Sequence, residues 1–140
     1  MFLGLIAATL LLACNQAPKT DSAATTTAAA TATNGPVMKF DTESFDFGKI
    51  PSGDKVTYNF KFTNTGKSPL IIKDAVASCG CTVPEWSPKT PIMPGNKGVI
   101  HVVFNSTGKE GLQDKLITIT SNTNPPQNMV HLVGEVIAKK

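Results

Sequence analysis

The sequence contains no arginine: all 13 basic residues are lysines, set singly along the chain against 10 acidic groups, for a formal net charge of +3. Proteins that read nucleic acid gather basic residues on one face and use the forked guanidinium for paired contacts to phosphate and guanine, so this distribution argues against that class. Scattered lysines serve solubility instead. No apolar run approaches the roughly 20 residues that cross a bilayer as a helix. The chain offers two histidines, His101 and His131, each isolated in a β-type segment, and three cysteines. A structural zinc site draws on four such ligands at a wider spacing than the cysteines show. Missing too are a glycine-rich phosphate loop, paired carboxylates framed by a pocket signature and a spacing that suggests a Ser-His-Asp arrangement.

What is present begins with "MFLGLIAATLLLACNQAPKT". Its apolar run from Phe2 to Leu12 is too short to span a membrane but suits the h-region of an export signal. The run ends in "LLAC", which is similar to the bacterial lipobox, with Leu11 three positions before the new N-terminus, small Ala13 before the cut, and Cys14 as the residue that takes the lipid. Residues 1–13 then form a lipoprotein signal peptide. An ordinary signal that happens to contain a cysteine is the alternative. No lysine precedes the apolar run, which leaves room for a start codon upstream. At about 0.8 kcal/mol per buried methylene, several acyl chains on Cys14 hold a protein firmly where one is marginal. The expected location is therefore the cell envelope of a Gram-negative bacterium, lipid-anchored at the outer membrane. The expected partners are that membrane and an envelope protein or glycan, with no nucleic acid.

Residues 14–36 carry the lipidated cysteine and an Ala/Thr-rich tether, "NQAPKTDSAATTTAAATATNGP" after Cys14. β-Branched threonines, flanking prolines and the absence of an apolar stripe leave nothing to bury as a helix. Fully extended, its residues reach about 70 Å. Within it, "DSA" resembles an acceptor pattern for O-glycosylation in some Gram-negative bacteria, with Ser22 as the acceptor, a match that a Ser/Thr-rich linker also produces by chance. "NST" at Asn105 matches the N-glycosylation pattern, but after a bacterial export signal it reads as a turn.

Residues 37–140 form the expected domain. "KVTYNFKFTNTG" alternates Val56, Tyr58, Phe60 and Phe62 with Thr57, Asn59, Lys61 and Thr63, a period of two that predicts a half-buried antiparallel strand. Turn residues bracket it, and apolar or β-branched runs follow in "PLIIKDAVA", "GVIHVVF", "KLITITS" and "NMVHLVGEVI". With "MKF" and "SFDFG" this makes about seven strands and no helical stripe, which predicts an all-β, two-sheet antiparallel sandwich. True immunoglobulin domains staple their sheets with two distant cysteines across a tryptophan. This chain has no such pair, so the sandwich is immunoglobulin-like in shape only.

The ordered set "FDFG", "FTNTGKSPL", "SCGCT", "PIMPG" and "ITSN", closed by "LVGEV", resembles the bacterial family called domain of unknown function fifteen-seventy-three. The likeness covers essentially all of the chain after the tether. It implies an immunoglobulin-like sandwich of the major sperm protein type on an exported protein or lipoprotein, with no activity assigned. Leu112 departs from the pattern, an aromatic being commoner there.

The segment "SCGCT" raises the chemical question. If lipid consumes Cys14, an even pair remains, Cys79 and Cys81, in an oxidising compartment where neighbouring thiols tend to join. Gly80 between them is expected to bend the chain enough for a bridge, lodged beside Trp86 near a strand end. A loop of three residues constrains the unfolded chain by only about 1.6 kcal/mol, so stability is a poor reason for it. Three roles stay open. One is a structural cystine or buried thiols. Another is disulfide exchange, for which a strained bridge suits although no basic residue within the motif favours a thiolate. The third is a soft-metal clamp for Cu(I), the one cofactor considered, with Met93 or His101 as a further ligand. The favoured reading is a non-enzymatic binding or structural module on a lipid anchor. The alternative is an envelope thiol protein.

Overall fold

The computed structural model describes residues 34–139. The expected signal peptide, Cys14, Ser22 and almost all of the expected tether lie outside the described residues. Eight strands make up the domain: β1 (Met38–Phe40), β2 (Ser44–Pro51), β3 (Lys55–Asn64), β4 (Ile72–Ala77), β5 (Thr82–Ser87), β6 (Lys97–Asn105), β7 (Gly111–Ser121) and β8 (Gln127–Ile137). They form two four-stranded sheets, ordered β1-β3-β6-β5 and β2-β8-β7-β4. Alternation drives the assembly. In β3, Phe60 and Phe62 are buried while Asn59 and Lys61 are exposed, as their period of two predicts. Ile100, Val102 and Phe104 of β6 face Ile117 and Ile119 of β7 and Val130, Leu132 and Val136 of β8 across one core.

Two features differ from the expected pattern. β5 is an eighth strand, hidden in the sequence by Pro84, which cannot donate to a ladder; as the edge of its sheet, β5 accommodates that loss. The pairing of β2 with β8 is parallel, whereas the other pairs are antiparallel. The reason lies in the short link after β1: the chain crosses to the other sheet without reversing, so β2 continues in the direction that β8 also takes. A bulge after Asp46 takes up the "DFG" residues, with Gly48 at φ 71° and its N–H donating to Asp46 Oδ1 at 2.8 Å. The Phe47 ring then lies over Gly134, where any side chain would collide with it.

Buried polar side chains knit the two ends of the sandwich. At the proximal end, where the chain enters, Asn64 is fully buried: its Nδ2 donates to the carbonyls of Ser68 and Ile92, both at 2.8 Å, and its Oδ1 accepts from Val37 and Gly66. Asn34 and Gly35 offer carbonyls to Ser68 Oγ and Lys67 N–H, which ties the entering chain to the turn after β3. At the distal end Ser106 Oγ donates to Asp54 O at 2.7 Å and accepts from Gly53 N–H at 3.0 Å, joining the β2–β3 turn to the β6–β7 loop. The strand rise of about 3.3 Å per residue puts these ends roughly 30 Å apart along β3.

Candidate functional site

The "SCGCT" segment is the corner at which the chain passes from one sheet to the other. β4 and β5 are edge strands of opposite sheets, and the turn between them also reverses the chain. Ser78 N–H still donates to Leu116 O of β7 at 2.9 Å, while Cys81 O already accepts from Asn105 N–H of the β6 end at 2.9 Å. The crossing is therefore made by three residues. Thr82 N–H closes it by donating to Cys79 O at 3.2 Å, a β-turn with Gly80 and Cys81 at its centre.

A disulfide joins Cys79 to Cys81, with Cα atoms 5.4 Å apart. The folding-back of the turn supplies that approach. Gly80 is exposed, has no left-handed φ, and a β-carbon there would touch nothing, so the glycine is not the hinge that its position suggests. Both cysteines are half-buried, and Cys81 packs against the core. Thr82, 4% exposed, places its Oγ1 at 3.7 Å from Cys79 Sγ and 4.0 Å from Cys81 Sγ.

Lys115 is the residue that the sequence did not bring forward. It sits on the inward face of β7 two positions before buried Ile117, with its Nζ 5.4 Å from the centroid of the Phe104 ring. The backbone of Phe104 pairs with that of Thr82, the residue that follows the disulfide turn. Burial pushes the Lys115 ammonium below the usual lysine range, Lys109 adds to that effect, and Asp114 opposes it. Only the packing of one sheet on the other brings Lys115 to Phe104, and no local motif carries that approach.

The other candidates are dispersed. Met93 lies in the loop before β6, its carbonyl accepting from Asn96 N–H at 3.0 Å, at the proximal end. Cys81 is tied to Asn105 at the opposite end of β6, roughly 27 Å away by strand rise. His101 is mid-strand on the outer face, its Nδ1 donating to Asn59 Oδ1 at 2.6 Å, while Cys81 faces inward. Neither residue joins the cysteine pair as a further ligand: Met93 sits in a loop at the other end of the sandwich, and His101 points outward from the middle of β6. Trp86 lies four residues beyond Thr82 along β5, about 13 Å by strand rise, under the ammonium of Lys89 at 3.3 Å, and does not lodge the disulfide. His131 donates from Nδ1 to Asp114 Oδ1 at 2.8 Å on the outer face of β8. Asn105 serves a turn: its Oδ1 accepts from Thr107 N–H and Oγ1. Among the described residues no three His, Cys, Asp or Glu side chains gather as a metal site.

Comparison with solved structures places this architecture. A protein of unknown function from Porphyromonas gingivalis W83 superposes with a TM-score of 0.63 at 19% identity, covering 79% of this chain and 51% of that one. The ASH/PapD-like domain 7 of human CEP192 gives 0.59 at 9% identity, covering 98% and 100%. The secreted serine protease VesC from Vibrio cholerae gives 0.54 at 16%, covering 74% of this chain and 23% of its own. The chain thus spans about half the length of the Porphyromonas protein and a smaller share of VesC, and at these identities the likeness shows the fold alone: an immunoglobulin-like sandwich of the PapD-like type. No curated protein matches the chain. The family described as Protein of unknown function (DUF1573) matches residues 38–136, from the first strand to the last, and the chain belongs to that family.

Proposed function

We propose that the protein is a lipid-anchored module of the bacterial cell envelope that binds or supports a partner without catalysing a reaction. One observation carries the reading: the chain enters at the proximal end, whereas the disulfide turn, the β2–β3 turn and the β6–β7 loop are held together at the distal end. A lipid on Cys14 then leaves the distal loops pointing away from the membrane, which suits a sandwich whose recognition elements are loops on a rigid scaffold. Fractionation of cells carrying Cys14→Ala tests the anchor. Release of the protein from the membrane fraction, or a block in its processing, is expected; unchanged membrane partition overturns the reading.

A second reading, thiol exchange at the same turn, has its own support. The two cysteines are only half-buried and the residue between them is exposed, which favours access of an external thiol to the turn. Cu(I) binding by the reduced pair has less in its favour, since Met93 and His101 stand elsewhere.

A further inference from the structure

We propose that the lysines gathered at the end where the chain enters dock that end of the sandwich on an anionic phospholipid surface. The inference rests on the lipid-anchor reading and adds to it how the anchored domain sits on its membrane.

In sequence the lysines stand singly, and the fold gathers them. Lys39 and Lys97 are the ladder neighbours of Thr63 on either side, so they share the outer face of the β1-β3-β6-β5 sheet about 10 Å apart. Lys61, two residues before Thr63, is the diagonal neighbour of both, about 7 to 8 Å from each. The alternate rows, Met38 with Asn64 and Phe40 with Phe62 and Gly98, are buried, which turns all three lysines to solvent. An open groove between Lys61 and Lys97 runs over Val99 toward Ser87 and Pro88.

Three further lysines surround the same end. Lys67 lies in the turn after β3 with its N–H donating to Gly35 O at 3.1 Å, Lys73 is the second residue of β4, and Lys89 follows the end of β5 with its ammonium over Trp86. All six are exposed, and none forms a salt bridge among the described residues. The acids at this end are Asp41, whose N–H donates to Lys61 O, and Asp74, while Glu43 and Glu85 lie nearer the middle of the strands. Toward the distal end Asp46, Asp54, Glu110, Asp114 and Glu135 balance the lysines one for one, and Lys49 is held by Glu135 at 2.7 Å. One end of the sandwich is therefore cationic and the other neutral.

Charge and chain path point to the same occupant. Ammonium groups within about one Debye length of each other repel, and a surface of many negative charges relieves all of them together. The chain that leads back to Cys14 leaves from this end, where Asn34 O accepts from Ser68 Oγ and Gly35 O from Lys67 N–H. At most about 70 Å of chain separates Asn34 from Cys14, so a lipid on Cys14 keeps these lysines at high local concentration near the headgroups. A lysine close to an anionic leaflet favours the bound state about fivefold, and several act together. A soluble polyanion has no such tie to this end.

The test couples the chain from Cys14 to Lys140, its disulfide intact, through the Cys14 thiol to maleimide-bearing vesicles, and reads the acetylation rate of each lysine by peptide mass spectrometry. On phosphatidylcholine vesicles containing about 30% phosphatidylglycerol, Lys39, Lys61 and Lys97 should react at least about threefold more slowly than on phosphatidylcholine alone, with exposed Lys55 and Lys139 unchanged. About 0.5 M NaCl should erase the difference. In the triple variant Lys39→Gln, Lys61→Gln, Lys97→Gln the slowing of Lys67 and Lys89 should disappear, and the corresponding triple change to Arg should keep it, which a merely structural effect would not allow. Equal rates on the two kinds of vesicle, or equal slowing of Lys55 and Lys139, overturn the docking. Slowing by soluble heparin but not by phosphatidylglycerol assigns the face to another polyanion and overturns it as well. Because the coupling supplies the anchor, either result leaves the lipid on Cys14 to be decided by fractionation of the Cys14→Ala cells.

Discussion

The side chain of Asn64 donates from Nδ2 to the carbonyl of Ile92 at 2.8 Å, fully buried, and so joins the last residue of β3 to the loop that leads into β6. The same amide bonds Ser68, Val37 and Gly66, and the Asn64 backbone exchanges bonds with Gly95 and Asn96. One side chain thus closes the end at which the chain enters. Asn64→Ala removes four hydrogen bonds, to the carbonyls of Ser68 and Ile92 and from the N–H groups of Val37 and Gly66, although Ile92 O keeps its bond from Leu70 N–H. The expected cost is about 3 kcal/mol or more in urea unfolding, with no change of fold in the surviving native state.

The register of β3 makes a sharper contrast between neighbours. Phe60 is 1% exposed and packs edge-on against Tyr58 with centroids 4.7 Å apart, while Lys61 faces solvent. Phe60→Ala should lower stability by about 3 to 5 kcal/mol and Lys61→Ala by less than about 0.5. Equal losses in chemical denaturation would mean that the strand is turned the other way.

That contrast was legible in the sequence, because four apolar residues at a strict period of two admit only one buried face. Turn residues around Ser52 and Gly66 were legible for the same local reason. β5 was not, since Pro84 interrupts a run of only six residues, and its place at the sheet edge is a property of the whole topology. The parallel course of β2 along β8 depends on how the chain crosses between sheets at the opposite end of the sequence. At the candidate site, Cys79 and Cys81 announced themselves by spacing. Met93 and His101 were chosen by side-chain chemistry, and geometry separates them from the pair; Lys115 was overlooked because only the packing of the two sheets brings it to Phe104.

Glycine supplies a further contrast. Gly98 of β6 is buried beneath the Phe62 ring, so a β-carbon there collides with an aromatic side chain that is itself 0% exposed. Gly98→Ala should cost about 1 to 3 kcal/mol through overpacking. Gly80→Ala meets open space and an ordinary backbone, and should change stability by less than about 1 kcal/mol while leaving the disulfide intact. Thermal unfolding with a thiol count on each variant checks both.

Loss of the disulfide should be mild. Its loop is so short that Cys79→Ser with Cys81→Ser should remove about 1.6 kcal/mol at most, and the circular dichroism spectrum should remain that of a β-sandwich. The hydrogen bonds of Ser78 and Cys81 to β7 and β6 hold the corner without the sulfurs. Global unfolding of the double variant would contradict this assignment of the stabilising contacts.

Intact mass of the protein extracted from membranes without reductant, before and after thiol labelling, tests the central claim most directly. The account predicts a chain that begins at an acylated Cys14, takes up no label while oxidised, and takes up two labels after reduction. A chain that retains residues 1–13, or an unmodified Cys14 in membrane-extracted protein, would contradict the lipid-anchored module; two labels without reduction would contradict the oxidised turn at its distal end.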